Sequence, residues 1–346
     1  MEEETHGVII GRFMPPHAGH QYLVDFGRNM CSRLTVFVCT LDSEPIDGRL
    51  RFRWMQELFP EVEMVHITEE IPEARKDSPM AVPIWARTIR THLAAPPSLV
   101  FASEDYGASL ARELGARFVP VDPARRQFPV SATMIRENPL ANWDYIPEPV
   151  RPYFLRRVSI AEPLREPEAG GPGTDGDVAS LARRLAAHYH TLFVSDYGRF
   201  FESAVGPVTR ENLDLVRSAQ RAVEEALARR ASRVLFCEAD PLQIALRRGF
   251  DPARPTPIVG RDATAGDAAE RERADTASRY DLTLIVMPRG GGRATGRTDD
   301  VEAFIERMEE ELRRRRAPVT RIAAPSEHDL LDRAVAEVER VLAAPQ

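Results

Sequence analysis

Short apolar runs alternate with amphipathic runs along this sequence, and the alternation limits the chain to an α/β fold. The amphipathic runs have helical spacing, so helices join consecutive strands and the strands must lie parallel. The predicted strands of the first half are Gly7–Ile10, Leu34–Thr40, Val62–Ile67, Leu99–Ala102 and Arg117–Val121. The repetition predicts a doubly wound parallel sheet, whose ligands bind beyond the carboxyl ends of the strands.

A proline-rich turn joins the first predicted strand to the first predicted helix, and it carries two histidines. Residues 11–20 read GRFMPPHAGH, and the two prolines exclude helix just before His17. His17 and His20 therefore share the first turn of the helix, where unpaired N–H groups and the helix dipole attract anions. Either ring can donate a hydrogen bond to a phosphate, which predicts a phosphate-binding turn. The alternative is a proline turn with two surface histidines.

A second stretch has the residue types of an anion site. Residues 130–136 read VSATMIR, in which Ser131 is a favourable helix N-cap and Thr133 falls in the exposed first turn. Arg136 follows a little over one turn later, so two hydroxyls, free backbone N–H groups and a guanidinium converge. Taken alone, the stretch also fits a capped surface helix with an ordinary arginine.

Two further features have more than one interpretation. Trp85 opens a predicted helix after a long polar segment, 68–83, and could either stack on a flat heterocycle or fill the core. Arg49 and Arg53 lie four residues apart at the start of another predicted helix. They could reach a phosphate, or they could form a solvated basic face.

Composition narrows the class of protein. The net charge is −7, which argues against broad nucleic-acid binding, and no apolar run approaches the roughly 18 residues of a membrane span. The chain starts with acidic residues where a secretory signal would be basic, so we expect a cytoplasmic protein. Cys31, Cys39 and Cys237 each adjoin apolar sequence, as reduced core thiols do. No disulfide and no bound metal such as zinc is predicted.

The two anion-site stretches resemble known signatures. GRFMPPHAGH is similar to the GxFxPxHxGH signature of the nucleotidyltransferase superfamily, and VSATMIR is similar to its (I/V)SxTxxR signature. The segments RENP at 136–139 and WDYIP at 143–147 resemble the NadR family, bifunctional bacterial proteins that couple nicotinamide mononucleotide adenylyltransferase to ribosylnicotinamide kinase. The resemblance is close over 7–158 and faint beyond it.

The resemblance implies a fold, a reaction and a set of ligands. A Rossmann-like nucleotidyltransferase domain at 1–157 would precede a P-loop-kinase-like α/β domain at 158–346. The first domain would make NAD and pyrophosphate from ATP and nicotinamide mononucleotide, with Mg²⁺ accompanying ATP. The implied catalytic residues are His17, His20 and Arg136, and the implied nucleotide-binding residues are Gly11, Arg12, Phe13, Gly19, Ser131 and Thr133. Trp85 is our candidate for stacking on nicotinamide.

Other functions remain open from the sequence alone. A related adenylyl- or cytidylyltransferase would use the same motifs with another phosphate acceptor, and a nucleotide or NAD sensor would bind without turnover. Some NadR relatives carry a DNA-binding segment, but six residues before the first predicted strand leave no room for a helix-turn-helix, so no nucleic-acid partner is expected. The sequence does not distinguish nicotinamide mononucleotide from nicotinate mononucleotide as the substrate. It is compatible with a homo-oligomer.

The second half departs from the family pattern. A Gly- and Pro-rich loop is predicted at 161–177, followed by strands at 191–194, 233–237 and 281–287. The family's GxxxxGK[ST] phosphate loop should follow the strand 157–160, but Lys76 is the only lysine of the chain. An arginine such as Arg183 or Arg184 could replace the lysine, although its forked head is bulkier.

Two segments of this half still resemble the family's kinase. Asp196–Arg199 is similar to its EYGR segment, and Glu238–Asp240 is similar to its DTD segment. The sequence therefore predicts a degenerate kinase domain that keeps part of its riboside site.

Overall fold

The computed structural model describes residues 5–69, 81–161, 180–249, 279–287 and 298–344. The chain divides into two compact units, residues 1–151 and 152–346. The sequence placed the boundary between residues 157 and 158.

The first unit is built on a five-stranded parallel sheet. Its strands are β1 (His6–Gly11), β2 (Arg33–Cys39), β3 (Glu63–Ile67), β4 (Leu99–Ala102) and β5 (Arg117–Pro120), in the order β3-β2-β1-β4-β5. The connecting helices are α1 (Ala18–Met30), α2 (Gly48–Leu58), α3 (Ala81–His92) and α4 (Tyr106–Leu114), and α5 (Ala132–Glu137) follows. A 3-10 turn at Trp143–Tyr145 comes next, and the short helix α6 (Arg151–Phe154) begins at the last residue of this unit and continues into the second. The strand order reverses between β1 and β4, which is where such sheets bind ligands.

Apolar side chains cover both faces of this sheet, as a doubly wound fold requires. Ile9, Val36 and Met55 belong to the cluster on one face, whereas Val8, Phe37 and Ile89 belong to the cluster on the other. Successive strand residues point to opposite faces, and the near-continuous apolar runs follow from that burial on both sides. Helix α4 approaches the sheet closely because residue 107 is glycine. A Cβ there would lie 2.5 Å from the Phe118 ring.

The second unit contains a second five-stranded parallel sheet. Its strands are β6 (Arg156–Ala161), β7 (Phe193–Val194), β8 (Val234–Cys237), β9 (Leu282–Val286) and β10 (Val319–Ile322), in the order β10-β9-β6-β8-β7. The described helices are α7 (Leu181–His188), α8 (Tyr197–Ala204), α9 (Leu213–Ala228), α10 (Pro241–Arg247), α11 (Thr298–Arg314) and α12 (Glu327–Ala343). The predicted fold class, two α/β domains with parallel sheets, is confirmed. Strand β10 and helix α12 were not predicted.

The remaining expectations concern single features. Cys39 and Cys237 are buried thiols, and Cys31 is half-buried. The predicted Gly- and Pro-rich loop lies, from residue 162 onward, outside the described residues. In the part of the chain that the structure describes, no helix is long and apolar enough to cross a membrane.

Candidate functional site

The proline-rich turn leads from β1 into α1, and His17 begins the helix. The extended backbone of His17 places its ring over the first turn, where Nδ1 accepts a hydrogen bond from the Gly19 N–H at 3.1 Å. One of the unpaired N–H groups of the helix start is thereby satisfied. A Cβ at Gly19 would lie 3.1 Å from the His17 ring, a tight contact that would require the ring to shift by a few tenths of an ångström.

The two histidine rings form one unit. The rings of His17 and His20 stack with centroids 3.8 Å apart and planes inclined by 27°. The Phe13 and His20 rings also pack in an edge-to-face arrangement, with centroids 4.9 Å apart. Phe13 is buried and has a left-handed backbone with a φ of 47°. This aromatic packing fixes the orientation of both imidazoles relative to the end of β1.

The second signature meets the first at this turn. Ser131 caps α5, because its hydroxyl accepts a hydrogen bond from the Met134 N–H at 3.2 Å, and this cap was predicted. Arg136 donates one guanidinium N–H to the Met14 carbonyl and another to the Thr133 hydroxyl at 3.2 Å. The structure thus brings the Arg136 guanidinium, with the Thr133 hydroxyl bonded to it, to the turn that carries both histidines.

The environment keeps both imidazoles neutral at physiological pH. Burial lowers the pKa of His17 to about 4, and the positive charge of Arg125 contributes in the same direction. Burial also lowers the pKa of His20 well below its usual value, with further contributions from His17 and Arg125. The Nδ1 atom of His20 is buried and has no hydrogen-bond partner among the described residues. A neutral imidazole still donates one N–H, which is the form that a phosphate oxygen can use.

Arg125 is a residue that the sequence analysis missed. It lies on a loop in which the Asp122 carboxylate accepts hydrogen bonds from the N–H groups of Arg126 at 2.8 Å and Gln127 at 3.0 Å. The far end of the loop rests on α1, where the Phe128 and Tyr22 rings lie 5.4 Å apart. Arg125 is exposed, and its charge acts on both histidines. The sequence signal that could have indicated this residue is the pair Arg125–Arg126, which lies just before the second signature.

The other predicted residues occupy different surroundings. Trp85 is partly buried on α3 and packs against the core cluster that includes Ile89. Arg49 and Arg53 are exposed on α2, whereas Arg51 between them is fully buried. A Cβ at Gly11 would lie 3.0 Å from the Phe13 ring, so the turn is closely packed at the end of β1.

In the second unit, the two kinase-like segments follow β7 and β8 and meet at the carboxyl ends of these neighbouring strands. Asp196 accepts a hydrogen bond from Arg247 at 2.8 Å, and its own N–H lies 3.3 Å from the Glu238 carboxylate. Asp240 accepts from the buried Ser159 hydroxyl at 2.7 Å. The Ser180 hydroxyl, which caps α7, also bonds to Glu238. Residues 170–179, where the phosphate loop would lie, fall outside the described residues.

We expect acid to destabilise the first unit through these histidines. A folded-state pKa near 4 for His17 means that the unfolded chain binds the extra proton between about pH 6.5 and pH 4. The free energy of unfolding is therefore highest above about pH 6.5. It decreases as the pH falls towards 4, by roughly 3 kcal/mol through His17 alone. All three tryptophans lie within residues 1–151, so tryptophan fluorescence in urea titrations at pH 7 and pH 4.5 reports on this unit.

The matched control is the double variant His17→Asn, His20→Gln. Asparagine keeps an N-cap at position 17, and every other titrating group is unchanged. The free energy of unfolding of this variant should depend less on pH. Equal pH dependence in the variant and the wild type would contradict the assigned pKa shifts.

Comparisons with known proteins give relatives in sequence and in fold. No protein-family model matches the chain. It is 29% identical over 214 residues to the trifunctional NAD biosynthesis/regulator protein NadR of Escherichia coli (strain K12), covering 57% of this chain and 50% of that protein. It is 28% identical over 210 residues to the protein of the same name from Salmonella typhimurium, covering 56% and 48%. The match thus spans about half the length of these curated relatives.

Two solved structures share the fold over nearly the whole chain. A crystal structure of NadR in complex with NAD and AMP-PNP has a TM-score of 0.69 at 18% identity, covering 99% of this chain and 97% of that chain. A NadR structure in complex with NR has a TM-score of 0.72 at 18% identity, with the same coverage. Identities this low carry the fold alone. With the sequence matches, they confirm the predicted resemblance to NadR-type proteins.

Proposed function

We propose, from the premise that the chain is NadR-like in sequence and fold, that its first unit is a nicotinamide mononucleotide adenylyltransferase. The proposal rests mainly on one observation. The stacked rings of His17 and His20 and the Arg136 guanidinium come from two distant segments and converge at the carboxyl end of β1. Neutral N–H donors, hydroxyls and a fixed cation are the groups that bind a triphosphate.

The chemistry proposed for this site needs positioning rather than a protein nucleophile. The phosphate of the mononucleotide attacks the α-phosphorus of ATP, and pyrophosphate leaves in line. His20 donates to the α-phosphate as its charge develops, and His17 supports the orientation of the His20 ring. Ser131, Thr133 and Arg136 hold the departing pyrophosphate. Donors that are fixed before the reaction stabilise the transition state without reorganisation.

Mg²⁺ would enter this reaction together with ATP. The imidazoles, hydroxyls and guanidinium groups at the turn can donate hydrogen bonds to phosphate oxygens, whereas Mg²⁺ usually binds carboxylate, phosphate and water oxygens. The ion would therefore be held mainly by the phosphates and by water, and it would neutralise part of the charge on the triphosphate.

A panel of phosphate acceptors tests the proposed substrate. The purified chain is given ATP and Mg²⁺ with nicotinamide mononucleotide, nicotinate mononucleotide or pantetheine phosphate in turn, and the products are identified. We expect NAD from the first acceptor and no dephospho-coenzyme A from the last. Preference for another acceptor would replace the assignment with a related nucleotidyltransferase. Tight NAD binding without turnover of any acceptor would favour a sensor, the second function that fits the word regulator in the relatives' names.

The second unit is proposed to be a degenerate ribosylnicotinamide kinase. The support is the sequence, because Lys76 lies in the other unit and no lysine follows residue 151. A P-loop lysine contacts the β- and γ-phosphates, and arginine has a different shape and donor geometry. Ser180 pairs with Glu238 and Ser159 pairs with Asp240, and such carboxylates and hydroxyls are the groups that bind the hydroxyls of a riboside.

We expect no phosphorylation of nicotinamide riboside by the full chain. Without the lysine, the γ-phosphate lacks its main protein cation, so riboside, ATP and Mg²⁺ should yield neither the mononucleotide nor NAD above background, as followed by chromatography. The same preparation supplied with the mononucleotide is the positive control. Accumulation of mononucleotide or NAD from the riboside would show that the kinase is active.

A further inference from the structure

A fully buried arginine lies directly beneath the turn of the proposed site. Arg51, on α2, has no exposed surface and no role in the reaction proposed above. A guanidinium has five N–H donors and is costly to bury unless they are matched. Arg51 matches three of its nitrogens to acceptors: Nε donates to the Ile46 carbonyl at 3.0 Å, one Nη donates to the Arg12 carbonyl at 2.7 Å, and the other bonds to the Glu44 carboxylate.

Glu44 links the buried arginine to a second, exposed one. One carboxylate oxygen accepts from Arg51 and from the Leu41 N–H at 3.0 Å. The other oxygen lies 3.5 Å from Nε of Arg12, with no closer hydrogen-bond partner among the described residues. The Glu44 side chain is 7% exposed, whereas that of Arg12 is 51% exposed. Two guanidinium groups thus share one carboxylate. Because Arg51 is buried and bonded to Glu44, the positive charge that remains available to a ligand is that of the exposed Arg12.

The bond to the Arg12 carbonyl also orients the backbone of the turn. A trans peptide points its carbonyl and the following N–H in opposite directions. Arg51 therefore fixes the peptide between Arg12 and Phe13 so that the Phe13 N–H faces away from α2. Phe13 adopts its left-handed conformation at this point, with a φ of 47°. Arg12 is thus held at both ends, at its carbonyl by Arg51 and at its guanidinium by Glu44.

We infer that Arg51 and Glu44 are positioning residues that aim the Arg12 guanidinium and the 12–13 peptide at the phosphates of ATP. The inference rests on the proposed function, since it assigns these two residues to the same nucleotide site. Arg12 is the contact residue, and Arg51 and Glu44 act through it. A guanidinium restrained before ATP arrives loses less conformational freedom on binding and is better aligned with a phosphate.

A double-mutant cycle separates positioning from general stability. Glu44→Gln keeps an oxygen for Arg51 and Leu41 and turns an amide N–H₂ towards Arg12, so it selectively releases Arg12. We expect Glu44→Gln to lower kcat/KM for ATP by about tenfold with a near-normal KM for the mononucleotide. In an Arg12→Ala background the same substitution should have no further effect. Independent losses that multiply in the double variant would overturn the inference.

Arg51→Lys tests the backbone contact. Lysine keeps the charge but cannot bond to all three acceptors, so we expect about a tenfold loss of kcat/KM for ATP. Arg28→Lys, at a surface arginine that pairs with Asp25 and Glu61, is the matched control and should behave as wild type. Wild-type kinetics in a folded Arg51→Lys variant would contradict the assigned role. If the Arg51→Lys variant does not fold, the double-mutant cycle of Glu44→Gln and Arg12→Ala tests the inference alone.

Calorimetric binding of AMP-PNP with Mg²⁺ distinguishes failure of this inference from failure of the proposed function. If the wild type transfers no nucleotidyl group to any acceptor, the proposed function fails. The positioning inference then stands only if Glu44→Gln weakens AMP-PNP binding in the wild type and not in the Arg12→Ala background. Absence of AMP-PNP binding by the wild type would refute both.

Discussion

His20→Ala should lower the turnover of ATP and nicotinamide mononucleotide by about a hundredfold or more, because one preorganised donor to the transition state is lost. The ring of His20 is held by stacking on His17 and by contact with the Phe13 ring, so its N–H donor is oriented before ATP binds. The loss should fall mainly on kcat, since the interaction strengthens as charge develops at the α-phosphate. Steady-state kinetics with both substrates varied provide the measurement.

The control for this prediction is a variant that perturbs packing without touching the proposed donors. Tyr22→Phe, at a partly buried residue of α1, removes one hydroxyl, keeps the ring that contacts Phe128 and should keep near-normal turnover. Tryptophan fluorescence in urea should show that His20→Ala remains folded. Near-normal turnover in a folded His20→Ala variant would remove His20 from the mechanism.

Arg136→Ala should lower kcat/KM for ATP by about a hundredfold, for two reasons that act together. The guanidinium is the fixed cation assigned to the leaving pyrophosphate, and charge-assisted hydrogen bonds are the stronger kind. It also ties α5 to the Met14 carbonyl, so its removal loosens the contact between the two signatures. Arg136→Lys should recover part of the loss, because lysine keeps the charge and cannot reach both Met14 and Thr133.

Arg112→Ala is the matched control for Arg136, since Arg112 is an exposed arginine on α4. Its kinetics should equal those of the wild type at the same ionic strength. If Arg136→Ala and Arg112→Ala have the same small effect, the contribution of Arg136 is only to the general charge of the protein.

Local sequence patterns were sufficient to predict the architecture and to single out the two segments that meet at the candidate site. Strand runs such as Leu34–Thr40 are apolar on both faces because helices cover both, and this pattern is readable without coordinates. Ser131 was predicted as an N-cap because capping depends on residues within one turn. The prolines before His17 fixed the start of α1 in the same way.

Long-range burial could not be predicted from the same patterns. Arg49, Arg51 and Arg53 alternate along one helix start, and only the position of the helix against the turn decides that Arg51 is the buried one. Arg125 acts on the histidines through a loop shaped by the Asp122 carboxylate, an interaction set by backbone conformation rather than by residue spacing. Residue spacing could not predict the roles of Arg51 and Arg125, because the groups that they contact or influence lie far along the chain or on loops.

The central claim is that the first unit transfers AMP from ATP to nicotinamide mononucleotide, and following the α-phosphate tests it most directly. The full chain is incubated with Mg²⁺, nicotinamide mononucleotide and ATP that carries a radioactive α-phosphate. We predict that the label appears in NAD and that pyrophosphate is released in equal amount. Label that remains in ATP, or that appears in ADP or AMP with no labelled NAD, would contradict the account.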